Sequence, residues 1–279
     1  MLPVLKHRVI TAAILVPIVI WGIFSLSTFP AFASVLSIFI VLGLLEWTHL
    51  IKLEAANQRT SYAVVVLSLC LASLLIMQSA FFFALLLIGS VSWWLVQILQ
   101  LSAYDGKEGV RTDRYLANLW GGAFLLVPTF ASLCFLHQSD SNGPALVLTL
   151  LLLIWSADTG AYFVGRKFGK NKLAPLVSPG KTREGAYGAL IVTAVVAFIA
   201  AIVLDLSFFK IILFVVLSQI VVVFSIGGDL LESVYKRRAG VKDSGQLLPG
   251  HGGVLDRIDS LMAASALFTL GAWSLGLIK

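Results

Sequence analysis

The sequence predicts an all-α polytopic membrane protein of about nine transmembrane helices, on three observations. Mean hydropathy is +0.96 over 279 residues. Hydrophobic residues make up 59% of the chain and charged residues 12%, a balance far from that of soluble globular domains. Apolar runs of about 20 residues, each long enough for a helix to cross a hydrocarbon core, recur from one end to the other. Finally, Lys and Arg gather in alternate connectors, as they do in chains sorted across a bilayer.

The first run, 9–27, follows Lys6, His7 and Arg8 and imitates a secretory signal, with Ala31-Phe32-Ala33 placed like a cleavage site. Its length, and the apolar run directly after it, favour a retained first helix. The second, 31–51, carries Glu46-Trp47 near its inner end. Trp favours the membrane–water boundary, so the pair reads as an interfacial anchor, and Glu46→Gln is expected to keep activity. Further spans are expected over 61–78, 80–100, 116–136, 145–164, 187–205, 208–228 and 255–277, separated by connectors rich in Gly, Pro, Ser or Asn. Cys70 and Cys134 fall inside apolar runs without a CxxC pair or a nearby His, so they read as small packed side chains rather than metal or disulfide partners.

With the N-terminus inside, the inward connectors hold 18 of the 20 basic residues, leaving only Lys210 and Lys279 outside. That bias predicts a cytoplasmic N-terminus and an outer C-terminus. The whole of 1–279 is expected to form one membrane domain: helices over 1–136, then a catalytic half over 137–279 with cytoplasmic loops at 165–186 and 229–256. Bases and aromatics do not interleave on a soluble face, so the net charge of +6 reads as topology and not as nucleic-acid affinity.

Chemistry concentrates in two inward segments. In the first, Asp158 lies at or near the end of the sixth span, where an ionisable group is a functional candidate. Beyond it comes Ser178-Pro179-Gly180-Lys181-Thr182. Position 175 is Pro, so this is no Walker A loop. Gly180 nevertheless permits close backbone approach, Lys181 brings charge and Thr182 a hydroxyl, just before a helix whose N-terminus favours anions.

In the second segment, Asp229, Glu232, Ser233 and Lys236 stand at i, i+3, i+4 and i+7, on one face of a continued helix. Gly227 and Gly228 admit a second backbone beside Asp229. Next come Lys242, Asp243, His251, Gly252 and Gly253, and then Asp256, Arg257 and Asp259 in the opening turn of the last span. Carboxylates on separate helices, with no Cys and one local His, suit a hard cation such as Mg²⁺. Bases around them would hold phosphate oxygens, and the Gly252–Gly253 amides would make a phosphate rest. HExxH and GxSxG arrangements and an exposed carboxylate pair for a sugar cleft are absent from the sequence, which argues against protease and glycosidase chemistry.

The run from Ser233-Val-Tyr-Lys-Arg through Lys242-Asp243-Ser-Gly to Leu-Pro-Gly-His-Gly-Gly-Val-Leu-Asp256-Arg-Ile-Asp259 closely resembles the signature of the phosphatidate cytidylyltransferases, or CDP-diacylglycerol synthases. Asp158-Thr-Gly-Ala-Tyr and Ser178-Pro-Gly-Lys-Thr resemble that family's upstream segments, and Tyr235 stands where the pattern usually has an aliphatic residue or Phe. The resemblance implies CMP transfer from CTP to phosphatidic acid, giving CDP-diacylglycerol and pyrophosphate for phospholipid synthesis. Mg²⁺ would be required, with room for a second cation. It further implies Asp229, Asp256 and Asp259 at the metal, and Lys236, Arg237, Lys242 and Arg257 on phosphates. Asp243 and His251 would orient water, metal or phosphate. Gly180, Lys181 and Thr182 would contact the nucleotide, with Gly252 and Gly253. A bacterial cytoplasmic membrane, a cytoplasm-facing site, lipid neighbours, no nucleic-acid partner and an open question of homodimerisation complete the expectation. A CTP-dependent lipid or polyprenol kinase is the rival enzyme, and a transporter the rival outside enzymology.

Overall fold

The computed structural model describes residues 2–26, 28–104, 106, 115–139, 142–247 and 252–278. Among them run nine long helices: α1 (Leu2–Ser25), α2 (Phe29–Leu50), α3 (Ala56–Ile76), α4 (Ala80–Gln100), α5 (Tyr115–Gln138), α6 (Gly143–Phe168), α7 (Arg183–Val203), α8 (Phe208–Ala239) and α9 (Leu255–Ser274). They fall where the apolar runs place them. By length and composition seven, α2 to α8, can cross a membrane. The other two are α1, apolar over Ala13–Ser25, and α9, whose first turns carry Asp256, Arg257 and Asp259. The chain is an all-α integral membrane protein. Outward faces bear exposed Phe, Leu, Ile and Val, as lipid-facing helices do. The most enclosed helix is α5, where Leu126, Ala131, Cys134 and Leu136 have no accessible surface. Both thiols are free and buried.

Helix ends depart from expectation in the inward segments. Instead of stopping near residue 228, α8 continues to Ala239, because nothing between Leu230 and Ala239 breaks a helix. Gly240 ends it with φ +79. The Gly240 and Val241 amides close back onto Arg237 and Lys236 carbonyls, the left-handed glycine cap expected at a helix C-terminus. Residues 172–182, expected as a loop, form an antiparallel hairpin of β1 (Lys172–Ala174) and β2 (Ser178–Thr182), with Lys172 opposite Thr182 and Ala174 opposite Ser178. Val177 at its turn is buried with Leu230 and Val234 of α8, which fastens the hairpin to that helix.

Glycines set the closest helix contacts. A methyl on Gly160 of α6 would stand 2.7 Å from the Gly188 carbonyl oxygen of α7, and one on Gly185 would stand 2.9 Å from that of Ala161. The two helices therefore meet backbone to backbone, the packing that small residues allow in membranes. Gly228 of α8 likewise faces the Asp259 carbonyl and Ala263 of α9, at 2.6 and 2.8 Å from its would-be Cβ. That contact brings Asp229 and Asp259 into one neighbourhood.

Candidate active site

Four carboxylates and two lysines come together where α8, α9 and the hairpin meet. On α8, Asp229, Glu232, Ser233 and Lys236 share one face, as their spacing predicts. The Lys236 ammonium lies 2.5 Å from Glu232 Oε2 and 2.6 Å from Asp256 Oδ1. These side chains are 11%, 3% and 6% exposed, so the lysine is the shared charge partner of both acids away from bulk water. Across the site, Lys181 of β2 reaches Asp229 Oδ2 at 2.6 Å, while Ser233 Oγ donates to Asp229 Oδ1 at 3.3 Å. Asp259 is buried and accepts from the Ser260 amide at 2.6 Å. Asp158 of α6 lies in the field of Asp229, Lys181 and Arg257.

Asp256 is the most heavily bonded of these acids. Beyond Lys236 on Oδ1, its Oδ2 accepts from the Ser244 amide (2.9 Å), the Ser244 hydroxyl (3.0 Å) and the Gly253 amide (2.8 Å). Gly252, at φ +79, takes the backbone conformation that turns the chain into this arrangement. At Gly253, expected with Gly252 as a phosphate rest, the amide donates to the chain's own carboxylate. The next two amides are filled by Glu46, which arrives from α2. Its Oε1 accepts from Val254 at 2.9 Å, and its Oε2 accepts from Leu255 and from Ser244 Oγ, both at 2.8 Å.

Two further residues make contacts that the sequence did not announce. Thr182, read as a nucleotide contact, is buried and caps α7, its hydroxyl accepting from the Gly185 amide at 3.1 Å. Trp47 is no interfacial anchor: it is 1% exposed, tilts against Tyr235 and donates from Nε1 to the Asn118 carbonyl. The remaining candidates lie on the rim. Arg237, Lys242, Asp243, Arg257 and Gly180 are exposed, and Arg237 points its guanidinium at the Val177 and Val241 carbonyls. His251 lies outside the described residues.

Among the described residues, no three His, Cys, Asp or Glu side chains stand at a common ligating position. The donor chemistry nevertheless fits a hard cation. Asp229, Glu232, Asp256 and Asp259 bring four carboxyl groups against Lys181 and Lys236, and Glu232 Oε1 is buried with no hydrogen-bond partner. An orphaned carboxylate oxygen beside further acids is a site wanting positive charge.

Sequence reasoning missed Ser244, read Glu46 as an interfacial anchor dispensable for activity, and noted Glu232 without assigning it work. Glu46 could have been found: it is the sole acid of α2, and an acid within an apolar span is a functional candidate by default.

Comparison with known proteins gives the family. Residues 6–274 match the Cytidylyltransferase family. The chain is 41% identical over 273 residues to a phosphatidate cytidylyltransferase of Pseudomonas aeruginosa, covering 98% of each sequence. It is 39% identical over 284 residues to one of Haemophilus influenzae, covering 95% of this chain and 97% of the relative. A third, from Bacillus subtilis, is 41% identical over 146 residues, 50% of this chain and 54% of that one.

Proposed function

The chain belongs to the cytidylyltransferase family, and on that premise we propose that it transfers CMP from CTP to phosphatidic acid, yielding CDP-diacylglycerol and pyrophosphate. The observation that carries the reading is the single acid–base cluster joining Lys181, Asp229, Glu232, Lys236, Asp256 and Asp259. An oxygen of the lipid phosphate attacks the α-phosphorus of CTP in line. The bond from that phosphorus to the bridging oxygen of the β-phosphate breaks, and pyrophosphate leaves with the electron pair. A phosphate monoester already carries about −1.5 to −2 charges near neutral pH, so the attacking oxygen needs no strong base. Positioning and charge then govern the rate.

Lys181 and Lys236 would hold phosphate oxygens within the cluster, with Arg237, Lys242 and Arg257 guiding the nucleotide in from the rim. Asp229, Asp256 and Asp259 would hold Mg²⁺ once their side chains converge, since no three acids among the described residues stand at a common ligating position, with Glu232 Oε1 a further oxygen. When bound, the ion supplies charge neutralisation on the triphosphate. The basic connectors support a mouth on the cytoplasmic side of a bacterial inner membrane, with the N-terminus inside and the C-terminus outside.

Incubating the purified protein with phosphatidic acid, Mg²⁺ and CTP labelled at the α-phosphate tests the reading. Label in the lipid fraction is expected. Label left wholly in CDP would sink it and favour a CTP-dependent lipid kinase, whereas substrate uptake into vesicles without CTP consumption would favour a transporter.

A further inference from the structure

We propose that Glu46, on α2, is a positioning residue of the transfer site, which holds the first turn of α9 and Ser244 so that Asp256 stays aimed at Lys236. Three donors converge on this one carboxylate: the Val254 amide at 2.9 Å, and the Leu255 amide and Ser244 hydroxyl at 2.8 Å. All three belong to the segment that also binds Asp256, and Ser244 touches both acids, Glu46 at 2.8 Å and Asp256 at 3.0 Å. The hydroxyl has one proton for two carboxylates, so it couples their positions.

The surroundings are shaped to admit Glu46. A Cβ on Gly245 or on Gly253 would run into its carboxylate, so both glycines leave room for it. One turn earlier, Gly43 lets Leu255 pack against α2, with 3.1 Å from its would-be Cβ to Leu255 Cδ1. The adjoining Trp47 is buried against Tyr235 of α8, so α2 is docked on both sides of Glu46. An anion at a helix N-terminus is favoured by the exposed amides there. Here the anion comes from a helix more than 200 residues earlier in the chain. Its acceptors are specific: both oxygens face N–H groups, and a glutamine amide would turn one of them into a donor facing a donor.

The test uses the full chain carrying Glu46→Gln in detergent, with two readouts. At saturating CTP and phosphatidic acid, kcat is expected to fall at least tenfold while KM for CTP stays within twofold. Amide exchange at Val254 and Leu255, measured without substrate, is expected to accelerate at least tenfold. A brace that served stability alone would lower the melting temperature and leave the kcat of the folded fraction unchanged. Wild-type kcat, or wild-type exchange at those two amides, overturns the proposal. If Glu46→Gln does not accumulate, Ser244→Ala removes only the hydroxyl shared by the two acids. A kcat at least threefold lower is then expected, and an unchanged one overturns the proposal. The inference rests on the transfer reading for its kinetic arm only. Lack of turnover in the wild-type chain would count against that reading, leaving the exchange measurement to decide the role of Glu46.

Discussion

Lys236 is the residue on which the most charge depends, because Glu232 and Asp256 both reach it at 2.5–2.6 Å from nearly buried positions. Removing one partner of such a group strands buried charge, at a cost of about 3–5 kcal/mol. Lys236→Met should therefore lower the thermal unfolding midpoint in detergent, with Glu232→Gln in the same chain recovering part of the loss. Asp256→Ala should leave the protein inserted in the membrane while reducing turnover about 100-fold or more, as loss of a charge-organising group at a transfer site does; the labelled-CTP assay measures it. Thr182→Val separates two roles for one hydroxyl. As the α7 cap, its loss should cost about 1 kcal/mol of stability, read as a lower melting temperature, with KM for CTP unchanged. A large rise in that KM would restore Thr182 to the nucleotide site. The acids and lysines of α8 and α9 were legible in the sequence because helical spacing alone puts them on common faces. The duties of Thr182 and Gly253 were not, since a cap and a phosphate contact present the same residue types. Only coordinates show which partner takes the hydrogen bond.

Helix spacing is set by the glycine contacts, and Gly228 is the sharpest case, with Asp259 and Ala263 of α9 directly against it. Gly228→Ala must push α8 and α9 apart, at about 1–3 kcal/mol for overpacking a tight contact. The expected outcome is a lower melting temperature together with reduced turnover, because Asp229 and Asp259 separate. Gly180→Ala is the control for stability: nothing lies within 4 Å of a methyl there, and its melting temperature should not move. The apolar runs announced the long helices of the described residues, seven of them able to cross a membrane, for burial in lipid demands length and hydropathy that sequence displays openly. Their inner ends were misjudged where the helix continues past the apolar run. The stretch after residue 228 is polar yet contains no breaker before Gly240, so hydropathy stops sooner than the backbone does. The hairpin escaped notice for a related reason. Three- and five-residue strands carrying Pro and Gly give no alternating pattern, and their order comes from docking Val177 on α8.

At the scale of the whole molecule, the charge distribution predicts sidedness, and cysteine labelling can test it. Cys70 and Cys134 are 2% and 0% exposed, so a membrane-impermeant maleimide should find little native background. Lys210→Cys should then label from outside intact cells, and Lys242→Cys only after permeabilisation; the opposite pattern would invert the proposed orientation. Contacts across the expected division into N-terminal helices and a catalytic half were the least legible feature of the sequence. Contacts between distant helices leave no local mark, and Glu46 crosses that boundary to reach Val254 and Leu255, 208 and 209 residues onward. This wiring bears on biogenesis. A nascent polypeptide, however well inserted, has nothing to seat against Glu46 until its final helix emerges from the ribosome. A message truncated anywhere upstream of that point should thus yield a silent product, never a leaky half-enzyme consuming CTP in the bilayer.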